Sequence, residues 1–384
     1  MKRIYLDHAA ATLLNARVKK AVIKALDTIG NPSSYNNAGR EAAMMLEKAR
    51  QSVARFLGAH FDEIVFTSSG SEANALAIFG VTNGFKKGRI LTTPIEHLSV
   101  LESIKAVVSQ REVSMIAVNE EGVVELEDIR GKLTPTTVLV SVMYANNEIG
   151  TVQPIVRIGK MIREFRRKHT ASFPLFHVDA CQATEYLDMN VQHLGVDLLT
   201  FNGSKIYGPR GTGVLYVRRG VTLQSLIRGG GQEWGLRAGT ENMPACIGLA
   251  EALEHIPKQE KARLTLLRDY FFTQLKTCLP DVRINGSLGD DRLPNNINIS
   301  IPGLDSENLL LELDAAGISA GGGSACTARS VEPSHVLKAI GVKKPYLDGA
   351  LRFSMGRATT KKDINYVLQK LPLIIKKLRK RYQK

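Results

Sequence analysis

Lys205 stands between an apolar run, residues 196–201, and a glycine-rich turn that contains Gly208, Gly211 and Gly213. Such a run reads as a strand, so the lysine falls where a strand ends and the backbone turns sharply. There it is either a solvated ammonium or, sheltered from water, an amine that can lose its proton and attack a carbonyl. A second group lies upstream at the end of another short apolar run: Asp179, in Phe176-His177-Val178-Asp179-Ala180-Cys181-Gln182. An acid paired with a Schiff-base lysine is what pyridoxal phosphate (PLP) requires, because the acid keeps the pyridine nitrogen protonated and the ring then accepts carbanion electrons.

Three further stretches carry reactive groups. In residues 318–329 three consecutive glycines, Gly321, Gly322 and Gly323, precede Cys326 and Arg329. Ordered glycine runs cost backbone entropy, so this one predicts a loop that moves or makes a close approach. A cysteine exposed beside an arginine favours the nucleophilic thiolate, whereas the same residue in a packed turn is a small buried thiol. Arg352 lies inside an apolar strand, where its guanidinium needs an anionic partner: a bound amino-acid carboxylate or an internal salt bridge. Residues 68–74, Ser-Ser-Gly-Ser-Glu-Ala-Asn, follow the strand 63–67 and open a helix. Strand, small-residue turn and helix start make a phosphate site; Ser71 read simply as the N-cap is the equal alternative. Cys181, Cys246 and Cys278 have no such loop and are expected to be structural. They lack metal-site spacing, no metal site is expected, and four scattered cysteines point to a reducing cytoplasm.

The elements that must position these groups alternate. Strands are predicted at 63–67, 89–93, 113–118, 138–143, 175–178, 198–201 and 213–217. Helices are predicted over 16–29, 42–57, 98–108, 126–132 and 155–168, one opens at the 68–74 turn, and another runs from about 237 to 254. Alternation demands a mainly parallel seven-stranded sheet sandwiched by helices, an α/β fold. His97, at a helix start after a strand, reads as a cap or a cofactor contact, and Tyr144-Ala145-Asn146-Asn147 follows a strand at the end where open α/β sheets place ligand groups. From Pro257 the texture changes to a smaller α+β unit with a helix at 261–278, strands near 282 and at 296–301, and helices at 306–315 and 361–380. The amino-terminal strand, 4–12, is expected to return to it. Residues 12–256 thus form a large domain, and 1–11 with 257–384 a small one.

The chain has 384 residues, 44% of them hydrophobic, enough for a large core. No apolar run approaches the ~18 residues of a membrane span, and the amino terminus lacks the apolar stretch of a signal peptide. A net charge of +14, concentrated near the carboxyl end, suits an acidic partner, but no nucleic-acid recognition motif accompanies it.

Nine stretches in order resemble the cysteine desulfurases of the NifS/IscS kind, class-V aminotransferase-like enzymes of fold-type I. They are Y-L-D-x-A-A at 5–10, G-N-P-S-S at 30–34, E-H at 96–97, N-N-E-I-G-T at 146–151, H-V-D-A-x-Q at 177–182, G-x-K-I-Y-G-P at 203–209, R-x-G-T-E-N at 237–242, G-S-A-C-T at 323–327 and R-F-S-x-G-R at 352–357. The resemblance spans nearly the whole chain. It implies that Lys205 would hold PLP, Asp179 would pair with the pyridine nitrogen, and His97 would stack on the ring and share proton transfers. Asn147 and Gln182 would bond the phenolic oxygen; Gly70 and Ser71, with Asn202 and Ser204, would surround the phosphate. Thr240 would reach the phosphate of the other subunit of a homodimer. Arg352, with Asn147, would bind the carboxylate of L-cysteine, and Cys326 would take its sulfur as a persulfide, leaving L-alanine. The sulfur would pass to an acceptor protein serving iron–sulfur cluster assembly or tRNA thiolation. A selenocysteine lyase or aminotransferase of the same fold, or a basic scaffold with a vestigial PLP site, is the alternative. The chain departs from the pattern at Asn202 and Ser204, where Ser and His are common, at Asn36, often His, and at Gly321 and Gly322, where serines are usual; the last pair is expected to loosen the loop.

Overall fold

The computed structural model describes residues 3–85, 87–108, 111–322 and 333–382. In chain order the first half comprises β1 (Ile4–Tyr5), α1 (Ala16–Leu26), α2 (Asn37–Leu57), β2 (Ile64–Thr67), α3 (Gly70–Thr82), β3 (Arg89–Thr92), α4 (Leu98–Lys105), β4 (Glu112–Met115), α5 (Leu126–Lys132) and β5 (Thr137–Ser141). It continues with α6 (Ile155–His169), β6 (Leu175–Asp179), α7 (Val191–Leu194), β7 (Leu198–Asn202), β8 (Gly213–Val217) and α8 (Met243–Glu254). Seven of these strands form one sheet in the order β2-β8-β7-β6-β5-β3-β4. β8 alone runs against its neighbours, so β2, β3, β5, β6 and β7 all end on one edge.

The sheet is buried on both faces, as a helix-covered parallel sheet must be. In β2 the period of two is visible: Ile64 and Phe66 join Val53, Leu57 and Leu249 on one side, while Val65 joins Leu76, Ile90 and Leu198 on the other. Each such side chain, fully withdrawn from water, contributes ~1.5–3 kcal/mol before chain entropy is counted. α1 and α2 pack against α8 on the first of these faces.

The remaining chain holds α9 (Glu260–Cys278), β9 (Arg283–Ile284), β10 (Asn296–Ser300), α10 (Ser306–Ala315), β11 (Ile318–Ser319), α11 (His335–Ala339), β12 (Ala350–Ser354) and α12 (Lys361–Tyr382). β9, β10 and β12 make an antiparallel sheet, and β1 pairs in parallel with β11. The amino terminus thus does return to this later part of the chain, and an Asp7–Ser354 bridge extends the contact.

Several boundaries differ from expectation, each for a local reason. α2 begins at Asn37 rather than 42 because the Asn36 side chain caps it, accepting from the Gly39 amide at 2.8 Å. That accounts for asparagine at 36, since Asn is among the strongest caps. The N-cap of α3 is Ser69, not Ser71, and it accepts from the Glu72 amide at 3.1 Å. α8 starts at Met243, where Asn242 caps it, rather than at 237. Only Ile4–Tyr5 of the predicted 4–12 strand is extended; the short α7, β11 and α11 were too brief to register as periodicity.

The segment ahead of α8 is fixed by a buried pair. Arg50 on α2 meets Glu233 through two contacts of 2.7 Å, and Glu233 also accepts from the Phe66 amide. Both side chains are almost wholly buried, and Glu233 and Trp234 hold positive φ of 47° and 60°. Removing one partner strands the other charge. Glu233→Ala should therefore cost about 3–5 kcal/mol, read as a fall in the urea midpoint; an unchanged midpoint would refute this account of residues 229–242.

Candidate active site

A cavity of about 260 Å³ opens at the edge where the parallel strands end. Its wall includes Ser69, Gly70 and Ser71 after β2, His97 after β3, Met143 and Asn147 after β5, Asp179 and Gln182 at β6, Asn202, Ser204 and Lys205 at β7, and Arg352 on β12. Parallel pairing sets β6 and β7 in register, Asp179 opposite Thr200, so the acid and the amine reach the same edge. Strand carboxyl ends are where open α/β sheets bind ligands.

The Lys205 ammonium donates to the carbonyls of Ala9 at 2.8 Å and Ala10 at 2.5 Å. Gln182 donates to the same Ala9 carbonyl at 3.0 Å. The small residues after β1 allow that close approach. Asp179, 5% exposed, accepts from the Asn74 amide at 2.7 Å and the Cys181 backbone N–H at 3.0 Å. These two donors hold the carboxylate in one orientation at the cavity wall. Its neighbour His177 is fully buried between Ser141 and Thr200, and burial pulls it down to about 4.

Arg352, 1% exposed, forks into three environments. Nη2 meets Asp7 at 2.8 Å, Nη1 donates to the Asn147 carbonyl at 3.0 Å, and Nε has no partner among the described residues. Of the two alternatives for this arginine, the internal salt bridge is present, and Nε is a buried donor still unmatched among the described residues. Gly321 is bridged to Arg352 by two backbone hydrogen bonds, and a Cβ there would meet Nη2 at 2.8 Å and Nε at 3.2 Å. A Cβ at Gly322 would meet Leu310 at 2.9 Å. Glycine at these two positions thus serves close approach, one of the two roles expected of the run.

Cys326 lies outside the described residues. The chain on both sides of 323–332 is fastened to the site: Gly321 to Arg352 before it, and after it Ser334 to Glu148 at 2.5 Å and His335 to the Glu96 carbonyl at 2.9 Å. Thr240 is exposed at the end of the 229–242 segment and is not in the cavity wall.

The departures at 202 and 204 form one arrangement with two residues the sequence did not connect to them. Ser204 donates to Asn202 at 2.9 Å, and the Asn202 amide donates to the Cys181 sulfur at 3.3 Å. A Cβ at Gly70 would meet that sulfur at 2.8 Å and that amide at 2.9 Å. The Gly70–Ser71 start of α3 is thus a hollow that a side chain would close, with helix N–H groups, hydroxyls and an amide around it. Those donors fit a phosphate monoester, and Lys205 and Asp179 fit the two ends of a pyridoxal ring. Cys181, expected to be merely structural, is part of this wall; burial and the Asp179 charge push its thiol well up, which keeps it protonated and unreactive.

The chain belongs to the class-V aminotransferase family. The family model "Aminotransferase class-V" matches residues 4–367. Among relatives, "Cysteine desulfurase IscS" of Dictyoglomus turgidum is 44% identical over 99% of this chain and 96% of its own length. A solved "NIFS-LIKE PROTEIN" superposes with a TM-score of 0.89 at 34% identity, covering 97% of this chain and 99% of that one. Another structure, "SspA in complex with cysteine", gives a TM-score of 0.79 at 33% identity, covering 92% and 98%. Within this class-V family the chain stands with the cysteine desulfurases, as the nine stretches implied.

Two polar residues of this class-V site escaped the sequence. Asn74 donates to Asp179 and to the Ser99 hydroxyl at 2.9 Å, and Ser99 meets His97 Nδ1 at 2.8 Å. The available signal was a lone polar residue in the apolar run Ala73-Asn74-Ala75-Leu76-Ala77-Ile78. Glu96, next to His97 in the E-H stretch, is fully buried; Oε1 accepts from Thr93 and the Met143 amide, both at 2.8 Å. Burial raises its carboxyl to about 8, and Asp179 adds to this. The folded chain then holds a proton that the unfolded chain loses near 4.5, so this contribution to stability is full below about 4.5 and is lost as pH rises to about 8. Glu96→Gln keeps the acceptor and abolishes the titration; its urea midpoint should gain on wild type across that window, and parallel curves would contradict the buried proton. Gly70→Ala should weaken PLP uptake at least about tenfold by closing the hollow, an estimate from one lost hydrogen bond, with fluorescence titration as the measurement.

Proposed function

We propose that the protein is a PLP-dependent cysteine desulfurase that converts L-cysteine to L-alanine and leaves a persulfide on Cys326. The observation that carries this is one cavity lined by Lys205, Asp179 and a buried Arg352 whose Nε lacks a partner among the described residues. An amine and an acid placed to hold the cofactor, and an arginine placed to meet an α-carboxylate, are the two halves of an amino-acid site, and the family relatives supply the reaction class.

PLP bound here supplies an electron sink for the substrate's Cα electrons and so weakens its Cβ–sulfur bond. Lys205 Nζ holds the cofactor and takes the Cα proton. Asp179 keeps a proton on the pyridine nitrogen, and Asn74 keeps Asp179 aimed. Gly70, Ser71, Asn202 and Ser204 hold the phosphate, and Gln182 and Asn147 border the phenolic oxygen. Arg352 receives the carboxylate at Nε, while Asp7 and the Asn147 carbonyl fix the other two nitrogens and hold the fork in one plane. Cys326 thiolate attacks the substrate sulfur: a sulfur–sulfur bond forms, the Cβ–sulfur bond breaks, Cβ takes up a proton, and the return of a proton from Lys205 to Cα completes L-alanine.

Several wider assignments belong to this proposal. Residues 12–256 act as the cofactor domain, and 1–11 with 257–384 as the domain that carries Cys326. The working unit is a homodimer in which exposed Thr240 completes the partner's phosphate site. Sulfur passes to an iron–sulfur scaffold or a tRNA-thiolation enzyme in the cytoplasm.

Lys205→Ala should lose the visible absorbance of the bound cofactor and all alanine formation. Cys326→Ala should keep that absorbance yet lose sulfide release from L-cysteine by at least ~100-fold, as expected when a nucleophile is removed. Full sulfide release by Cys326→Ala would instead mark a lyase that needs no persulfide.

A further inference from the structure

The chain of contacts from Asp179 to His97 fixes more than orientation. His97 is the N-cap of α4, and its Nδ1 accepts from the backbone N–H of Ser99 at 3.1 Å. A backbone amide can only donate, so Nδ1 carries no hydrogen in this arrangement. The Ser99 hydroxyl lies 2.8 Å from the same nitrogen. Its oxygen already accepts from the Asn74 amide at 2.9 Å, which leaves the hydroxyl hydrogen for Nδ1. The remaining Asn74 N–H is given to Asp179 at 2.7 Å. That carboxylate forbids the opposite amide orientation, because turning the Asn74 oxygen toward it would set acceptor against acceptor. Asn74 is 1% exposed, and its own oxygen has no partner among the described residues, so the amide is oriented for its two donated bonds.

Every donor in the run therefore points one way, from Asn74 through Ser99 into the imidazole. We infer that Asn74 and Ser99 are positioning residues that fix His97 as the Nε2–H tautomer, so that His97 meets cofactor and substrate as a hydrogen-bond donor rather than as a base. The same Asn74 amide aims Asp179, so one side chain joins the acid and the imidazole of the site. This deepens the desulfurase proposal and rests on it only for the identity of the ligand that His97 faces. The arrangement also separates labour between the two proton-handling groups: Lys205 removes the Cα proton, and His97 supplies a hydrogen bond to a ligand atom that gains negative charge.

The test reads the ring directly. In protein labelled with nitrogen-15 in its histidine rings, long-range proton–nitrogen correlation, with His97 assigned by comparison with His97→Gln, should show Nδ1 unprotonated and Nε2 protonated at neutral pH, with and without PLP. The reverse tautomer, or a doubly protonated ring, would overturn the inference whatever the enzyme's activity. Ser99→Thr should keep the wild-type pattern, and Asn74→Ala, which frees the Ser99 hydroxyl but leaves the Ser99 N–H on Nδ1, should keep Nε2–H as the main form and admit a minor Nδ1–H population; a ring with no Nδ1–H form in Asn74→Ala would remove Asn74 from the account. In turnover of L-cysteine, His97→Gln, whose amide N–H can stand where Nε2–H stood, should retain about tenfold more kcat than His97→Asn, the loss expected for one hydrogen bond. Equal kcat values would sink the donor role and leave the desulfurase reading intact. A wild-type protein with the expected tautomer but no alanine formation would sink only that reading.

Discussion

The site depends on the parallel pairing of β6 with β7, which delivers a carboxylate and an amine to one edge of a sheet buried on both faces. Because side chains alternate along a strand, a slip of one residue in either partner would turn Asp179 to the opposite face and leave a charge inside the apolar layer. The long apolar strands make that slip expensive, since every residue of β6 and nearly every residue of β7 is buried. Register is thus set by the hydrophobic pattern, and the chemistry inherits its precision from packing. β8, the one reversed neighbour, returns the chain from the Lys205 turn and seals β7 against β2.

Most of this architecture was legible in the sequence, for identifiable reasons. Alternation of short apolar runs with helical periodicity dictated the parallel sheet, and α5 and α10 matched their predicted spans, α10 because the Asp305 side chain caps its start. What was missed falls into two kinds. Elements of two to five residues, β11, α7 and α11, are too short to show a period. Polar partners such as Asn74, Ser99 and Asp7 acquire meaning only through contacts across long sequence separation, 105 residues between Asn74 and Asp179 and 345 between Asp7 and Arg352. The place of Cys181 in the wall was invisible for the same reason: it depends on Gly70 and Asn202, neither of which is near it in sequence.

The departures from the family pattern make physical sense only in sets. Asn202 is larger than the serine common there, and Gly70 is as small as a residue can be; the missing Cβ of one makes room for the amide of the other and for the Cys181 sulfur. Ser204 then finds its acceptor on Asn202. Likewise Gly321 is not an isolated loosening of a loop, since its absent Cβ is what keeps the Arg352 fork open while its backbone pairs with the arginine's own.

The amino-terminal stretch ties these parts together. Leu6 is fully buried in the main core, Asp7 meets Arg352, and the carbonyls of Ala9 and Ala10 receive Lys205, with Gln182 also on Ala9. Within five residues, then, one short segment contacts the amine, the buried arginine fork and an amide of the cavity wall. Its electrostatics follow from that placement. Arg352 is a buried cation, and a buried cation without a counter-charge is costly. Asp7 supplies the counter-charge on one nitrogen and leaves Nε to be matched, so the fork is held in place without being saturated. A fully saturated fork would have no donor to offer a carboxylate, and an uncompensated one would not stay ordered inside β12; the observed division of its nitrogens avoids both.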